Sequence, residues 1–171
     1  MVRWGLIPSW AKEPPKLQPI NARAETVPTS GMFRQAFARR RCIVPADGFY
    51  DWRKLDAKAK QPTFIHFPDD RPFRLAGLWE RWKPDETSEP VDTVCVITTT
   101  PNALMQPIHD RMPVILRPDE YGAWLDKATD PKEAAALMRP YPDGELEAVA
   151  VSKLVNSPRN DVLECVAPLV E

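Results

Sequence analysis

Arg74-Leu75-Ala76-Gly77-Leu78-Trp79 and Thr93-Val94-Cys95-Val96-Ile97-Thr98 decide the fold class. Both runs are rich in β-branched and aromatic residues, and both read as strands buried on two faces. Around them lie Cys42–Ala46, Phe49–Trp52, Thr63–Phe67, Val114–Leu116 and Ala148–Val151, each a short strand. Asp47-Gly48 forms a turn or bulge between the first two of these. Helices are fewer. Ser30 caps Met32–Arg40; Pro118 opens Asp119–Leu125 with acids in its first turn; Asp130-Pro131 opens Lys132–Met138 as N-cap and N1 proline. Six or seven strands with three short helices predict an α+β fold, a mixed or antiparallel sheet forming a partly closed barrel.

The chain has 171 residues, 43% of them hydrophobic, enough for one domain with a real core. The loops at 54–61, 83–92 and 139–146 are too short to be interdomain linkers, so residues 1–171 are expected to be a single domain. Proline is abundant, 20 against 6 glycines, and it is spread along the chain, which predicts ordered turns rather than a proline-rich linker. No apolar run approaches the ~18 residues of a membrane span, and no secretory signal opens the chain. Cys42, Cys95 and Cys165 are odd in number and widely spaced, fitting neither a disulfide framework nor a zinc site. A reducing, cytoplasmic setting is expected, with no metal and no cofactor.

Charge is uneven. Residues 1–54 hold ten Lys/Arg and four acids, a net +6, which leaves −7 for the remainder. A basic third predicts a positive face for a polyanion, against a reading of scattered surface charge.

Four polar clusters carry candidate chemistry. In Ile20-Asn21-Ala22-Arg23-Ala24-Glu25-Thr26, alternation sends Asn21, Arg23 and Glu25 to one side of an extended segment, suited to a phosphate or to a structural ion pair. In Ala46–Trp52, Asp51 lies between Tyr50 and Trp52; it is either a carboxyl of raised pKa acting as a general acid or an outward strand residue. In Pro107–Pro113, His109 is flanked by Ile108 and Asp110, with Arg111 beyond, and is held by prolines; it is a candidate general base or proton shuttle. His66 reads as an ordinary strand residue. In Trp4–Trp10, Trp4 is expected in the core and Trp10 exposed as a stacking platform. Cys42 and Cys95 read as inert, buried thiols.

Trp4–Trp10, Ile20–Thr26, Arg41–Trp52 and Ile108–Pro113, in this order, resemble the SOS response-associated peptidase (SRAP) family, and Val151-Ser152-Lys153 with Val155-Asn156 resembles its closing segment. The resemblance runs from about residue 3 to 168. It implies a DNA-repair protein that binds single-stranded DNA, recognises abasic sites and shields them covalently through an N-terminal Cys, with self-processing peptidase activity. An abasic sugar opens to an aldehyde, which an α-amine attacks to give a Schiff base; a neighbouring thiol then closes a thiazolidine. Carried over, Asn21 orients the nucleophile, Asp51 stands where the family has Glu and protonates the ring oxygen, and His109 shuttles the proton. Arg23 and Arg111 hold phosphates, and Trp10 stacks beside the lesion. The three residues Asn21, Asp51 and His109 are expected to meet in one cleft.

Two departures qualify this. Met1-Val2 is not Met-Cys, and the match begins inside the family's pattern, so a leading segment with the nucleophile is expected to be missing, with apolar edges favouring a homodimer. Asp51 is one methylene shorter than Glu. Two alternatives follow: a nucleic-acid-binding module without the nucleophile, and a peptidase using an internal Cys with His109.

Overall fold

The computed structural model describes residues 1–57 and 59–169. Its strands are β1 (Arg3–Trp4), β2 (Asn21–Arg23), β3 (Arg41–Ala46), β4 (Phe49–Lys54), β5 (Lys60–His66), β6 (Phe73–Trp82), β7 (Val91–Thr99), β8 (Met112–Pro113) and β9 (Glu147–Ala150). The helices are α1 (Arg34–Arg39), α2 (Tyr121–Leu125) and α3 (Pro131–Ala136), with 3-10 turns at Pro118–Glu120, Lys153–Asn156 and Leu163–Cys165. Mixed strands and short helices make this an α+β protein. Among the described residues the strands form one six-stranded and one three-stranded sheet, and no closed barrel is present. Among the described residues, no helix is long and apolar enough to cross a membrane.

The chain builds two compact units, each from three separate stretches: 1–44, 74–99 and 113–140 in the first, and 45–73, 100–112 and 141–171 in the second. In the first, β7 is the hub. It runs antiparallel to β6, pairing Gly77 with Val96 and Trp82 with Val91. It also pairs with β8, and two further partners, β1 and β2, are both parallel to it and follow one another along the same strand: Trp4 lies opposite Val94, and Asn21 opposite Val96. Residues 5–20 are therefore an excursion from what is otherwise one edge strand. Gly5, at φ +118°, turns the chain out, a backbone conformation costly for any residue with a Cβ. The Leu6 N–H donates to Pro19 O at 3.0 Å and closes the excursion.

The core of this unit joins Leu6, Phe37, Leu78, Ile97, Val114 and Trp124, the last fully buried with its indole N–H donating to Cys42 O at 2.8 Å. Such aromatic and aliphatic burial is the main favourable term in folding. The predicted strand Val114–Leu116 is displaced: the ladder forms at Met112–Pro113, while Ile115 makes a single bridge to Leu75. Proline 113 cannot donate, which limits the ladder's length. Helix α1 starts at Arg34 rather than Met32. Ser30 spends its Oγ on the Met32 N–H (3.3 Å) and its carbonyl on the Arg34 N–H (2.9 Å), completing a turn before the helix. Asp130 caps α3 as expected, accepting from the Lys132 N–H at 2.7 Å.

In the second unit β4, β5 and β9 form an antiparallel sheet, with Asp51 opposite Thr63 and Thr63 opposite Ala150. Phe67 packs edge-on to Phe73 and Tyr141, with centroids 4.6 and 5.6 Å away.

Candidate functional site

Asp51 is carried by the middle of β4, whose approach to β5 depends on Gly48. A Cβ there would stand 2.4 Å from the Phe64 ring and 2.6 Å from Ile65 O. The Asp51 carboxylate, 21% exposed, accepts the Trp52 N–H on Oδ1 at 2.8 Å. Its Oδ2 lies 4.0 Å from His109 Nδ1. Two residues 58 positions apart in sequence thus converge within the second unit. The separation is longer than a hydrogen bond, and a side-chain shift of about 1 Å would close it.

His109 sits half-exposed in a tight turn. The N–H groups of Ile108 and His109 both donate to Met105 O, at 2.8 and 2.9 Å. The turn is pinned by buried Asn102, whose Oδ1 accepts from the Met105 N–H (3.1 Å) and whose Nδ2 donates to Tyr141 O (3.1 Å). His109 Nδ1 accepts the Arg111 N–H at 3.0 Å, which assigns the neutral ring's proton to Nε2. The same Nδ1 is 3.0 Å from Asp110 Oδ1. The Arg111 contact describes the neutral ring and the carboxylate contact the charged one, so both states have a partner in place. Behind Asp51, the Trp52 indole N–H donates to Asn156 Oδ1 at 2.7 Å. Ser152 steadies the turn that carries Asn156, its Oγ accepting from the Leu154 N–H at 3.3 Å.

Asn21, Arg23 and Trp10 belong to the first unit. Ala22 and Ala24 are buried and Asn21, Arg23 and Glu25 are exposed, the alternation read from the sequence. Trp10 is 57% exposed. Trp4 is not a core residue: it is 60% exposed, because β1 is a two-residue edge piece and the Trp4 indole N–H is satisfied by Ile20 O at 2.8 Å.

The basic third of the chain is not all available to a ligand. Arg41 is buried and donates to Trp124 O (2.5 Å), Phe37 O (2.8 Å) and Asp126 O. Burial lowers its pKa against the opposing pull of Asp126. Arg40 is bound to Glu80 at 2.7 Å. The thiols of Cys42 and Cys95 are pushed up to about 12, in both cases chiefly by burial. Cys165 is also buried. Thiols held protonated are poor nucleophiles, which disfavours Cys42 and Cys95 as peptidase nucleophiles, and burial closes Cys165 to a substrate.

The sequence flagged Asp51, His109 and Trp10 but passed over Asn102 and Glu80. Asn102, in Thr-Pro-Asn, carried a turn signal; a lone Glu in a strand carried none.

An α+β chain with these four motifs in this order falls in the class whose family model is described as SOS response associated peptidase (SRAP), and that model matches residues 1–158. The chain is 47% identical over 167 residues to the abasic site processing protein YoqW of Bacillus subtilis (strain 168), covering 96% of this chain and 74% of that protein. It is 37% identical over 193 residues to the abasic site processing protein HMCES of Gallus gallus, covering 98% of this chain and 56% of that one. A crystal structure of a protein from Bacteroides thetaiotaomicron superposes with a TM-score of 0.90 at 31% identity, over 98% of this chain and 75% of that one. The chain belongs to the SRAP family.

Proposed function

We propose that this protein binds single-stranded DNA and processes abasic sites in it. The observation that carries the reading is the Asp51–His109 pair, a carboxyl and an imidazole 4.0 Å apart, in a chain whose relatives carry the name abasic site processing protein. A ring-closed abasic sugar opens when its ring oxygen gains a proton and its anomeric hydroxyl loses one. A primary amine then adds to the aldehyde, and loss of water leaves an imine. Each step moves a proton to or from oxygen, the work of an acid and a base in reach of one another. Asp51 supplies the proton to the ring oxygen. His109, held by the Arg111 amide in its neutral state and faced by Asp110 in its charged state, relays it.

Asn21 orients the amine, Arg23 and Arg111 hold phosphates, and Trp10 stacks on a base. The covalent nucleophile implied by the family is an N-terminal Cys, whose thiol closes a thiazolidine on the imine; the present sequence opens Met1-Val2. Self-processing, a cytoplasmic location and a homodimer belong to the same reading. The test uses two proteins: this chain, and this chain extended at its N-terminus by the corresponding Met-Cys segment of a relative. Each is incubated with an abasic single-stranded oligonucleotide and run on a denaturing gel. The extended protein is expected to retain the oligonucleotide, with His109→Ala and Asp51→Asn slowing retention by roughly 10²-fold or more. No retention by the extended protein overturns the reading.

A further inference from the structure

The excursion 5–20 displays Trp10 on the surface, yet three buried side chains hold it from below. The Ile7 N–H donates to Thr93 Oγ1 at 3.1 Å, the Ser9 N–H donates to Glu80 Oε2 at 3.2 Å, and Ala11 O accepts the Trp82 indole N–H at 2.7 Å. The three loop residues alternate, and so do Glu80 and Trp82 on one face of β6. Thr93 is the register partner of Glu80 on β7. Glu80 and Thr93 are fully buried and Trp82 is 8% exposed. The other Glu80 oxygen takes Arg40 Nη2 at 2.7 Å, so the carboxylate is neutralised where it lies. Leu6, Ile7 and Pro8 are buried beneath the segment, while Ser9 and Trp10 are exposed.

A buried carboxylate is costly unless paired and hydrogen-bonded. An apolar residue at position 80 would serve a core strand at lower cost. What the carboxylate adds is a fixed acceptor for one particular amide, that of the residue before Trp10. We propose that Thr93, Glu80 and Trp82 form a ladder of positioning residues that fixes Trp10 as a preformed stacking platform for a nucleobase of single-stranded DNA. This rests on the stacking role given to Trp10 above. A ring carried on a backbone already held in place on both sides loses less freedom when a base docks on it, so the affinity it contributes depends on the ladder.

The experiment measures anisotropy of a fluorescein-labelled single-stranded oligonucleotide with the full chain and with Trp10→Ala, Thr93→Val, Glu80→Leu and Glu80→Gln, alone and combined with Trp10→Ala. Trp10→Ala is expected to weaken binding roughly tenfold. Thr93→Val and Glu80→Leu each weaken it severalfold with Trp10 present and add nothing once Trp10 is Ala. Glu80→Gln, which keeps an acceptor for the Ser9 N–H, recovers most of the loss. If Glu80→Leu does not fold, Thr93→Val and Glu80→Gln carry the comparison. Ladder variants that bind as tightly as the parent while Trp10→Ala is weakened overturn the ladder and leave the stacking role standing. Losses that add to that of Trp10→Ala overturn it equally, since they do not act through Trp10. Unchanged binding by Trp10→Ala overturns the stacking role itself.

Discussion

Gly48 carries no chemistry, yet the placement of Asp51 depends on it. A methyl group at this position meets the Phe64 ring at 2.4 Å and a backbone carbonyl at 2.6 Å, and neither can move without shifting β5. Gly48→Ala is therefore expected to destabilise the protein by about 1–3 kcal/mol, the usual cost of overpacking. It should also displace β4 enough to change the Asp51–His109 distance. Urea denaturation checks the first effect; a midpoint equal to the parent's contradicts the clash. The sequence marked Asp47-Gly48 as a turn, so the glycine was legible. Its reason was not, because Phe64 lies across the sheet and only the register of β4 on β5 brings the ring there. Asp51 and His109 behaved alike: each stood out by its own neighbours, but their approach is a tertiary fact that spacing along the chain does not contain.

At the scale of elements, the turn that holds His109 is organised by Asn102 rather than by the prolines that bracket it in sequence. Asn102→Ala removes an acceptor for the Met105 N–H and a donor for Tyr141 O in a buried setting. A loss of about 1–3 kcal/mol is expected. The amides of Met105, Gln106, Ile108 and His109 should then exchange with deuterium faster than in the parent, while those of β7 keep their protection; uniform acceleration would contradict a local role. The strands β6 and β7 were legible because burial on both faces writes a nearly continuous apolar run. The edge was not. Trp4 reads as core from its type, and nothing local reveals that β1 and β2 are successive pieces along one side of β7.

For the whole molecule, alkaline pH is the informative stress. In the unfolded chain the thiols ionise near pH ~8.5. In the folded protein Cys42 and Cys95 keep their protons to about 12. Above pH ~8.5 the unfolded state binds fewer protons, so stability, fully present below that pH, falls as pH rises towards 12. Burial of the Tyr50 phenol, with Cys165 and Asp161 nearby, adds in the same direction at higher pH. Urea midpoints measured from pH 7 to 11 should be level at first and then decline, and Cys42→Ala should make the decline shallower. An unchanged decline in that variant would remove the thiol from the account.

The discontinuity of the two units also has a consequence for how the polypeptide is made. The first unit needs residues 113–140 as well as 1–44, and the second begins at 45. A ribosome must therefore release the chain as far as residue 140 before either unit has all its parts. Nascent strands of residues 1–44 therefore wait for partners that emerge far downstream, where a chain of consecutive domains would fold from its leading end.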